Sequence, residues 1–307
     1  MENKLYVFGH KKPDTDSIAS TIVFTNLQKA LGKNAVAYRL GDISKETQYA
    51  LDTFKVEAPE LLENIEENSE VALVDHNEFA QSVDGIEKAK IKMVVDHHKV
   101  KFETTEPLYC IEEPVGCTAT ILYKLYKQND VEIEPKMAGL MLSAIVSDTL
   151  LFKSPTCTEE DKEIAKKLAT IANVDLESYG KEMLKAGTDI SEFTPFQVIN
   201  IDSKEFNDKN AKFEISQINA VDLDSVFSRQ AELEEAINKE IKDKNLDFYM
   251  FAATDILNAN SKIIAMGNKA GTVEKAFGVS LDNNTAMLNN VVSRKKQMLP
   301  NILNNLD

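Results

Sequence analysis

Short apolar runs closed by a histidine or a carboxylate restrict this chain more than any other feature of its sequence. Residues 5–8, 35–38, 71–74 and 91–95 are brief, rich in β-branched side chains and nearly continuous in apolarity; 109–111 is a weaker run of the same kind. Strands buried on both faces of a parallel sheet read this way. Helical patterns lie between and after them, at 16–31, 44–54, 117–128, 135–146, 158–172 and 176–186. Asp14 or Asp16 stands near the start of the first and Gly32 closes it, while Ser44 and Thr158 each precede first-turn acids, as helix caps do. Strands interleaved with helices predict an α/β fold, a mostly parallel sheet with helices on both faces.

The pattern breaks at residues 187–195, Gly-Thr-Asp-Ile-Ser-Glu-Phe-Thr-Pro, where small, polar and proline residues cluster as in a linker. Beyond it, 196–201 and 211–218 read as strands joined by a polar turn. Asp222 or Asp224 to Lys244 reads as one long amphipathic helix, and 248–255 with 262–266 as an antiparallel pair around Asn258-Ala-Asn260. Short helices are expected at 272–277 and 298–306. A chain of 307 residues accommodates two domains. The expected division is an N-terminal domain over 1–187, a linker at 188–195, and a smaller C-terminal α/β domain with a mixed sheet over 196–307.

Four histidines are present, His10, His76, His97 and His98, and each lies at or within two residues of the end of a strand-like run. The carboxyl ends of strands form the ligand crevice of open α/β sheets. Carboxylates accompany each histidine: Asp14 and Asp16 follow His10, Asp75 precedes His76, and Asp96 precedes His97 and His98. Asp148 ends the apolar helix that begins near Pro135. An acid there opposes the helix macrodipole, which calls for a cationic partner. Imidazole mixed with carboxylate suits a borderline divalent ion such as Mn²⁺, Co²⁺ or Zn²⁺, whereas Mg²⁺ prefers oxygen throughout. Two histidines and four aspartates exceed the needs of one catalytic ion and suit two, bridged by a carboxylate and a water. Taken alone, Asp14 and Asp16 would also be accounted for as caps.

Residues 293–297, Ser-Arg-Lys-Lys-Gln, form a cationic cluster in a chain of formal charge −15. Such a run is often a solvated face, but Arg and Lys are also the side chains that clamp phosphoryl oxygens. Lys204, read here as ending a strand, is a weaker candidate of the same kind.

The acidity argues against broad nucleic-acid binding, which needs a basic surface. It agrees with cation binding and with solubility. No apolar run reaches about 18 residues, so no membrane span is expected. The opening MENKLYVFGHKKPD lacks the basic, apolar and cleavage regions of a signal peptide. Cys110, Cys117 and Cys157 are odd in number and without C-x-x-C spacing, against a disulfide framework or a zinc knuckle. Small buried or half-buried thiols in a reducing, cytoplasmic compartment are expected instead.

In order along the chain, H-x-x-P-D-x-D at 10–16, D-H-N at 75–77, D-H-H at 96–98 and S-D-T at 147–149 resemble the DHH phosphoesterase superfamily. The S-R-K-K-Q segment narrows the resemblance to the family II, manganese-dependent, inorganic pyrophosphatases, across the whole chain. The resemblance implies that His10, Asp14 and Asp16 are metal ligands, that Asp75 bridges two ions, and that His97 and Asp148 complete the second site. It implies that His98 donates a proton to the leaving phosphate and that Lys204, Arg294 and Lys295 bind substrate. It further implies two Mn²⁺ or Co²⁺ per subunit, Mg²⁺ arriving with pyrophosphate, a flexible hinge with the site between two domains, and a homodimer through the N-terminal domain. Lys12 departs from the family, which has Asn before the proline; no ligand is lost, so only local hydrogen bonding is expected to change. The interval between His76 and Asp96 is too short for the nucleotide-regulated insertion of some members.

Three alternatives bear on the same residues. DHH relatives that cleave nucleic acids carry a G-G-G-H segment in the second domain, and no histidine follows His98 here. Linear polyphosphate is a closer alternative substrate, because exopolyphosphatases share the metal motifs. A non-catalytic metal-binding protein on this fold would be expected to lack a ligand or a phosphate cation, and this chain lacks none.

Overall fold

Strand β1 (Leu5–Phe8) lies inside a parallel sheet whose later strands were added on both of its sides. The computed structural model describes residues 3–104, 106–208 and 211–306, and the chain divides into two units, Met1–Gly187 and Thr188–Asp307. In the first unit β1 is followed by α1 (Thr15–Ala30), β2 (Ala35–Arg39), α2 (Lys45–Phe54), β3 (Glu60–Leu61), β4 (Glu70–Val74), β5 (Lys90–Asp96) and β6 (Tyr109–Glu112). Four helices complete it: α3 (Thr118–Gln128), α4 (Pro135–Thr149), α5 (Glu159–Ala172) and α6 (Leu176–Gly187).

The sheet order is β3-β2-β1-β4-β5-β6, and every pairing is parallel. The chain works outward from β1 to β3, then returns to β4 on the other side of β1. Crevices for ligands form where strand order reverses in this way. Val7, Phe8, Val71, Leu73, Val94 and Val95 are fully buried, which explains their unbroken apolarity. On one face α1 lies against β1, β2 and β4, and α3 against β5. On the other, Phe8, Leu73 and Val94 pack with Ile65, Val83 and Ile86 from loops and a short 3₁₀ turn. Helix α4 packs on α1, α3 and α5 and is buried for most of its length, so the apolar stripe expected of a surface helix widens to nearly its whole circumference.

The second unit contains α7 (Pro195–Asn200), β7 (Ser203–Asp208), β8 (Ala211–Ala220), α8 (Leu223–Phe227), α9 (Gln230–Lys244), β9 (Phe248–Asp255), β10 (Asn260–Met266), α10 (Gly271–Phe277), β11 (Thr285–Asn289) and α11 (Leu299–Asn304). Its sheet is mixed, in the order β11-β10-β9-β8-β7, with only β8 and β9 parallel. Every residue of β9 is buried. Tyr249, Phe251 and Ala253 face a core shared with Leu233 and Ile237, whereas Phe248, Met250 and Ala252 face one shared with Val273, Met298 and Ile302. The two-residue alternation of a strand thus divides its apolar residues between two cores.

Two expectations for this unit are corrected. Residues 196–201 are not a strand: Pro195 opens helix α7, Thr194 caps it, and the Thr194 N–H donates to Gln197 Oε1. That capping box outweighs the β-branched composition of the segment. The strand comes afterwards, as β7, and Lys204 is near its start rather than at the end of one. The long helix from Asp222 is two helices, because Ser228 turns its hydroxyl back to the Ser225 carbonyl (2.8 Å from Ser228 N to Asp224 O, 2.7 Å from its Oγ to Ser225 O) and Arg229 leaves helical geometry.

Candidate metal centre

His10, Asp75 and His97 follow the carboxyl ends of β1, β4 and β5, three adjacent strands of the first unit. Asp14 is the N-cap of α1 and Asp16 lies in its first turn, and Asp148 comes from the last turn of α4. The sheet and the two helices bring all six together. His10 Nε2 lies 3.4 Å from Asp14 Oδ2 and 3.4 Å from Asp75 Oδ2. His97 Nε2 lies 3.4 Å from the other Asp75 oxygen and 3.8 Å from Asp148 Oδ2. Asp75 therefore stands between the two imidazoles, one oxygen toward each. Its backbone is left-handed, at φ 59°, a conformation uncommon outside glycine but more accessible to Asp.

The imidazole orientations follow from their other nitrogen. His10 Nδ1 donates to the Lys11 carbonyl at 2.8 Å, and His97 Nδ1 to the Val115 carbonyl at 3.0 Å. Both Nε2 atoms are left to face the carboxylates, the arrangement typical of metal-ligating histidines. Asp14 divides its roles similarly: Oδ1 caps α1 by accepting from Ser17 N at 2.9 Å, and Oδ2 faces His10. Capping and ligation are thus compatible in one side chain.

Negative charge is in excess here. Burial, and then Asp16 and Asp75, push the Asp148 carboxyl well up. Burial with Asp75 beside it also pushes Asp16 up. Burial would raise Asp75 too, yet His10 and His97 hold it below the usual carboxylate range. Despite burial, Asp14 and Asp75 hold His10 up at about 11, and Asp75 with Asp16 holds His97 at about 9. Protons are retained where a cation would serve. Groups of potential ligand atoms within 4.8 Å of one another form at His10, Asp14 and Asp75, at Asp75, His97 and His98, and at Asp16, Cys117 and Asp148. This donor set fits borderline divalent ions.

His98 differs from the other histidines. Its side chain is 55% exposed, and its Nδ1 donates to Asp96 Oδ1 at 2.9 Å, which turns Nε2 outward. Asp96 is buried and accepts from Asn77 Nδ2 at 2.7 Å through its second oxygen. Asn77 Nδ2 also approaches Glu112 Oε1 of β6 at 3.3 Å. Burial beside Asp96 pushes Glu112 up to about 7. His76 turns away from the acids: it is buried near Phe8, and its Nδ1 donates to the Val74 carbonyl at 2.9 Å. Its position at a strand end has a packing explanation. Cys117 is buried beside Asp16 and Asp148, and Cys157 is half-buried, but Cys110 is exposed on β6, unlike the expectation for it.

Lys204, Arg294 and Lys295 lie in the second unit. Arg294 begins a π-helical turn, Arg294–Met298, and its guanidinium holds Asp202 by the carbonyl and by Oδ1, the latter at 2.8 Å. Asp202 is two residues before Lys204, so the anchor draws the cationic turn to the start of β7. Lys204 and Lys295 are exposed. Two glutamines hold the turn, Gln297 at the end of the S-R-K-K-Q segment and Gln217, which belongs to no motif. Gln297 Oε1 accepts from Val292 N (2.9 Å) and Ser293 N (3.1 Å), and Gln217 Oε1 accepts from Arg294 N at 3.0 Å.

Known proteins match both units. The DHH family N-terminal domain matches residues 4–145, and the DHHA2 domain matches 181–305. A manganese-dependent inorganic pyrophosphatase of Bacillus subtilis is 55% identical over 299 residues, covering 97% of each chain. A relative from Oceanobacillus iheyensis, named a probable manganese-dependent inorganic pyrophosphatase, is 54% identical over 298 residues, covering 96% of this chain and 97% of its own. The solved structure of a Methanococcus jannaschii protein assigned to the family II inorganic pyrophosphatases aligns with TM-score 0.64 and 41% identity, covering 98% of this chain and 99% of that one. An exopolyphosphatase-related protein from Bacteroides fragilis, at 13% identity and TM-score 0.50 over 99% of this chain and 92% of its own, shares the fold alone.

Proposed function

The chain belongs to the manganese-dependent inorganic pyrophosphatases built from a DHH and a DHHA2 domain, and from that premise we propose that pyrophosphate is hydrolysed at a two-metal centre formed by His10, Asp14, Asp16, Asp75, His97 and Asp148. The convergence of those six side chains, with Asp75 between two imidazoles, is the observation that carries the reading. In it His10 and Asp14 would hold chiefly one ion, Asp16, His97 and Asp148 the other, and Asp75 both. Mn²⁺ or Co²⁺ occupies the centre, and Mg²⁺ accompanies the substrate. Bound there, a divalent pair supplies Lewis acidity to phosphoryl oxygens and lowers the pKa of a water.

The chain's own groups supply the rest. Lys204, Arg294 and Lys295 neutralise the substrate oxygens, and charge stabilisation with positioning is most of what phosphoryl transfer asks of a protein. His98, held through Nδ1, presents Nε2 to protonate the departing phosphate. Residues 1–187 form the metal-binding domain and 196–307 the substrate-binding domain, joined by a hinge at 188–195, with pyrophosphate held between them. A pyrophosphate analogue is then expected to reduce the radius of gyration in small-angle scattering; an unchanged radius would count against closure. A homodimer through the N-terminal domain, a cytoplasmic location and no role in nucleic-acid binding complete the reading. No helix among the described residues is long and apolar enough to cross a membrane.

The deciding experiment is phosphate release from pyrophosphate by metal-stripped protein refilled with Mn²⁺ or Co²⁺ in the presence of Mg²⁺, beside His97→Ala. Release that needs the transition metal and collapses in the variant supports the proposal. Folded, refilled protein that leaves pyrophosphate intact would sink it and direct attention to polyphosphate.

A further inference from the structure

Val115 and Thr118 hydrogen-bond to three of the six side chains of the proposed metal centre and are not themselves among the six. The Val115 carbonyl accepts from His97 Nδ1 at 3.0 Å. Thr118 N donates to Asp16 Oδ2 at 2.8 Å, and Thr118 Oγ1 donates to Asp75 Oδ1 at 3.1 Å. Thr118 is fully buried and is the first residue of α3. Cys117, at the cap position, makes no side-chain capping bond. Asp16, from α1, takes a free N–H of α3 in its place, and the positive end of the α3 dipole meets a buried acid.

The turn is itself gripped from behind. Asp161 of α5 is fully buried. Its Oδ2 accepts from Gly116 N at 2.9 Å and from Thr158 N and Oγ1 at 2.7 Å each, and its Oδ1 accepts from Thr120 Oγ1 at 2.6 Å. A Cβ at position 116 would stand 2.6 Å from Asp161 Oδ2, so only glycine admits this approach. Hydrogen bonds therefore tie the start of α5 to Gly116 and Thr120, on either side of Thr118 in the chain, and Thr118 to two carboxylates of the centre.

We propose that Thr118 is a positioning residue for the metal centre, fixing the rotation of the Asp16 and Asp75 carboxylates, and that Asp161 holds Thr118 in place. The terminal torsion of an aspartate is broad and barely restrained by its own chain. Two ions sharing Asp75 require its two oxygens to face different ways at once. Thr118 Oγ1 restrains that rotation at Oδ1, on the His97 side, while its N–H restrains Asp16. Groups that orient ligands in this way typically change metal affinity about 10–100-fold when removed.

The inference rests on the two-metal reading, and the test separates the two. Mn²⁺ binding to the metal-stripped full chain is measured by isothermal titration calorimetry for wild type, Thr118→Val, Thr118→Ser and Asp161→Asn, with thermal melting of each metal-free protein. Wild type is expected to take up two ions. Thr118→Val is expected to bind at least one of them about 10–100-fold more weakly with the metal-free melting temperature nearly unchanged. Thr118→Ser, which keeps the hydroxyl, is expected to bind as wild type does, and Asp161→Asn to weaken binding in the same direction as Thr118→Val. If Thr118→Val does not fold, Thr118→Ala gives the same reading with less crowding. Two ions in wild type and undiminished affinity in the valine or alanine variant overturn the positioning role alone. Fewer than two ions in wild type overturn the two-metal reading and this inference with it.

Discussion

Asp96 Oδ1 accepts three hydrogen bonds from the two residues that follow it: His97 N at 2.8 Å, His98 N at 3.1 Å and His98 Nδ1 at 2.9 Å. One buried oxygen thus shapes the turn after β5 and sets the His98 ring. Because Nδ1 donates to Asp96, Nε2 is the nitrogen available for chemistry.

His98→Gln is accordingly expected to lower kcat for pyrophosphate by about 10²-fold or more, the usual loss of a general acid, while bound Mn²⁺ is unchanged. Asp96→Asn places an amide donor where an acceptor is needed and is expected to lower kcat in the same direction by a smaller factor. Steady-state kinetics beside metal analysis checks both. Equal loss of metal and activity in His98→Gln would remove His98 from the proton-transfer role.

Metal binding is expected to tighten as pH rises toward about 9. His97 is held protonated up to about 9 and His10 up to about 11 in the metal-free protein, and an imidazole must lose its proton to bind an ion. Calorimetry in buffers of different ionisation enthalpy should show proton release on Mn²⁺ binding at pH 7.

Stability of the metal-free protein follows the opposite sign. His10 and His97 have folded pKa values above the unfolded value of about 6.5. Their contribution is full below that pH and is lost as pH rises through about 9 and then about 11. The raised carboxyls of Asp16 and Asp148 act in the same direction. Metal-free protein should therefore melt at a lower temperature at pH 9 than at pH 7, and Mn²⁺ should restore more stability at pH 9. Equal melting temperatures would contradict the charge excess described for the site.

Arg294→Ala is expected to raise KM for pyrophosphate about 10-fold or more, since a charged hydrogen bond contributes about 1.5–3 kcal/mol. Asp202→Ala removes the carboxylate hold on the guanidinium and leaves the Asp202 carbonyl contact, so a smaller increase is expected. Both variants should bind Mn²⁺ as wild type does. An unchanged KM in Arg294→Ala would return the cationic turn to the status of a solvated face.

Lys12 occupies left-handed backbone at φ 54° in the loop between β1 and α1. Asn tolerates that region better than Lys. Lys12→Asn is expected to stabilise the protein by up to about 1 kcal/mol in urea unfolding, without altering Mn²⁺ affinity.

Much of this protein is local and therefore readable along the chain. His10, Asp75, His97 and His98 follow apolar runs whose composition marks them as buried strands, and the metal-ligand chemistry of their side chains needs no tertiary information. Helix α7 was open to the same kind of reading. Thr194, Pro195 and Gln197 are a capping signal, but the β-branched and aromatic residues after them also suit a strand.

Other features became visible only in three dimensions. Thr118 and Asp16 are 102 positions apart, and Gln217 and Arg294 are 77 apart. A threonine or glutamine has no distinctive pattern in sequence, because its role depends on which distant group it meets. Asp148 and His76 make the same point from opposite sides. The helix packing brings the first to His97, while Asp75's left-handed backbone precedes a histidine that is buried beside Phe8. Which residue types could bind a divalent ion was determined by covalent chemistry and local period. Which of their atoms face one another was decided by strand order and helix packing, since hydrogen-bond direction between distant residues is a property of the packed fold and of no single segment.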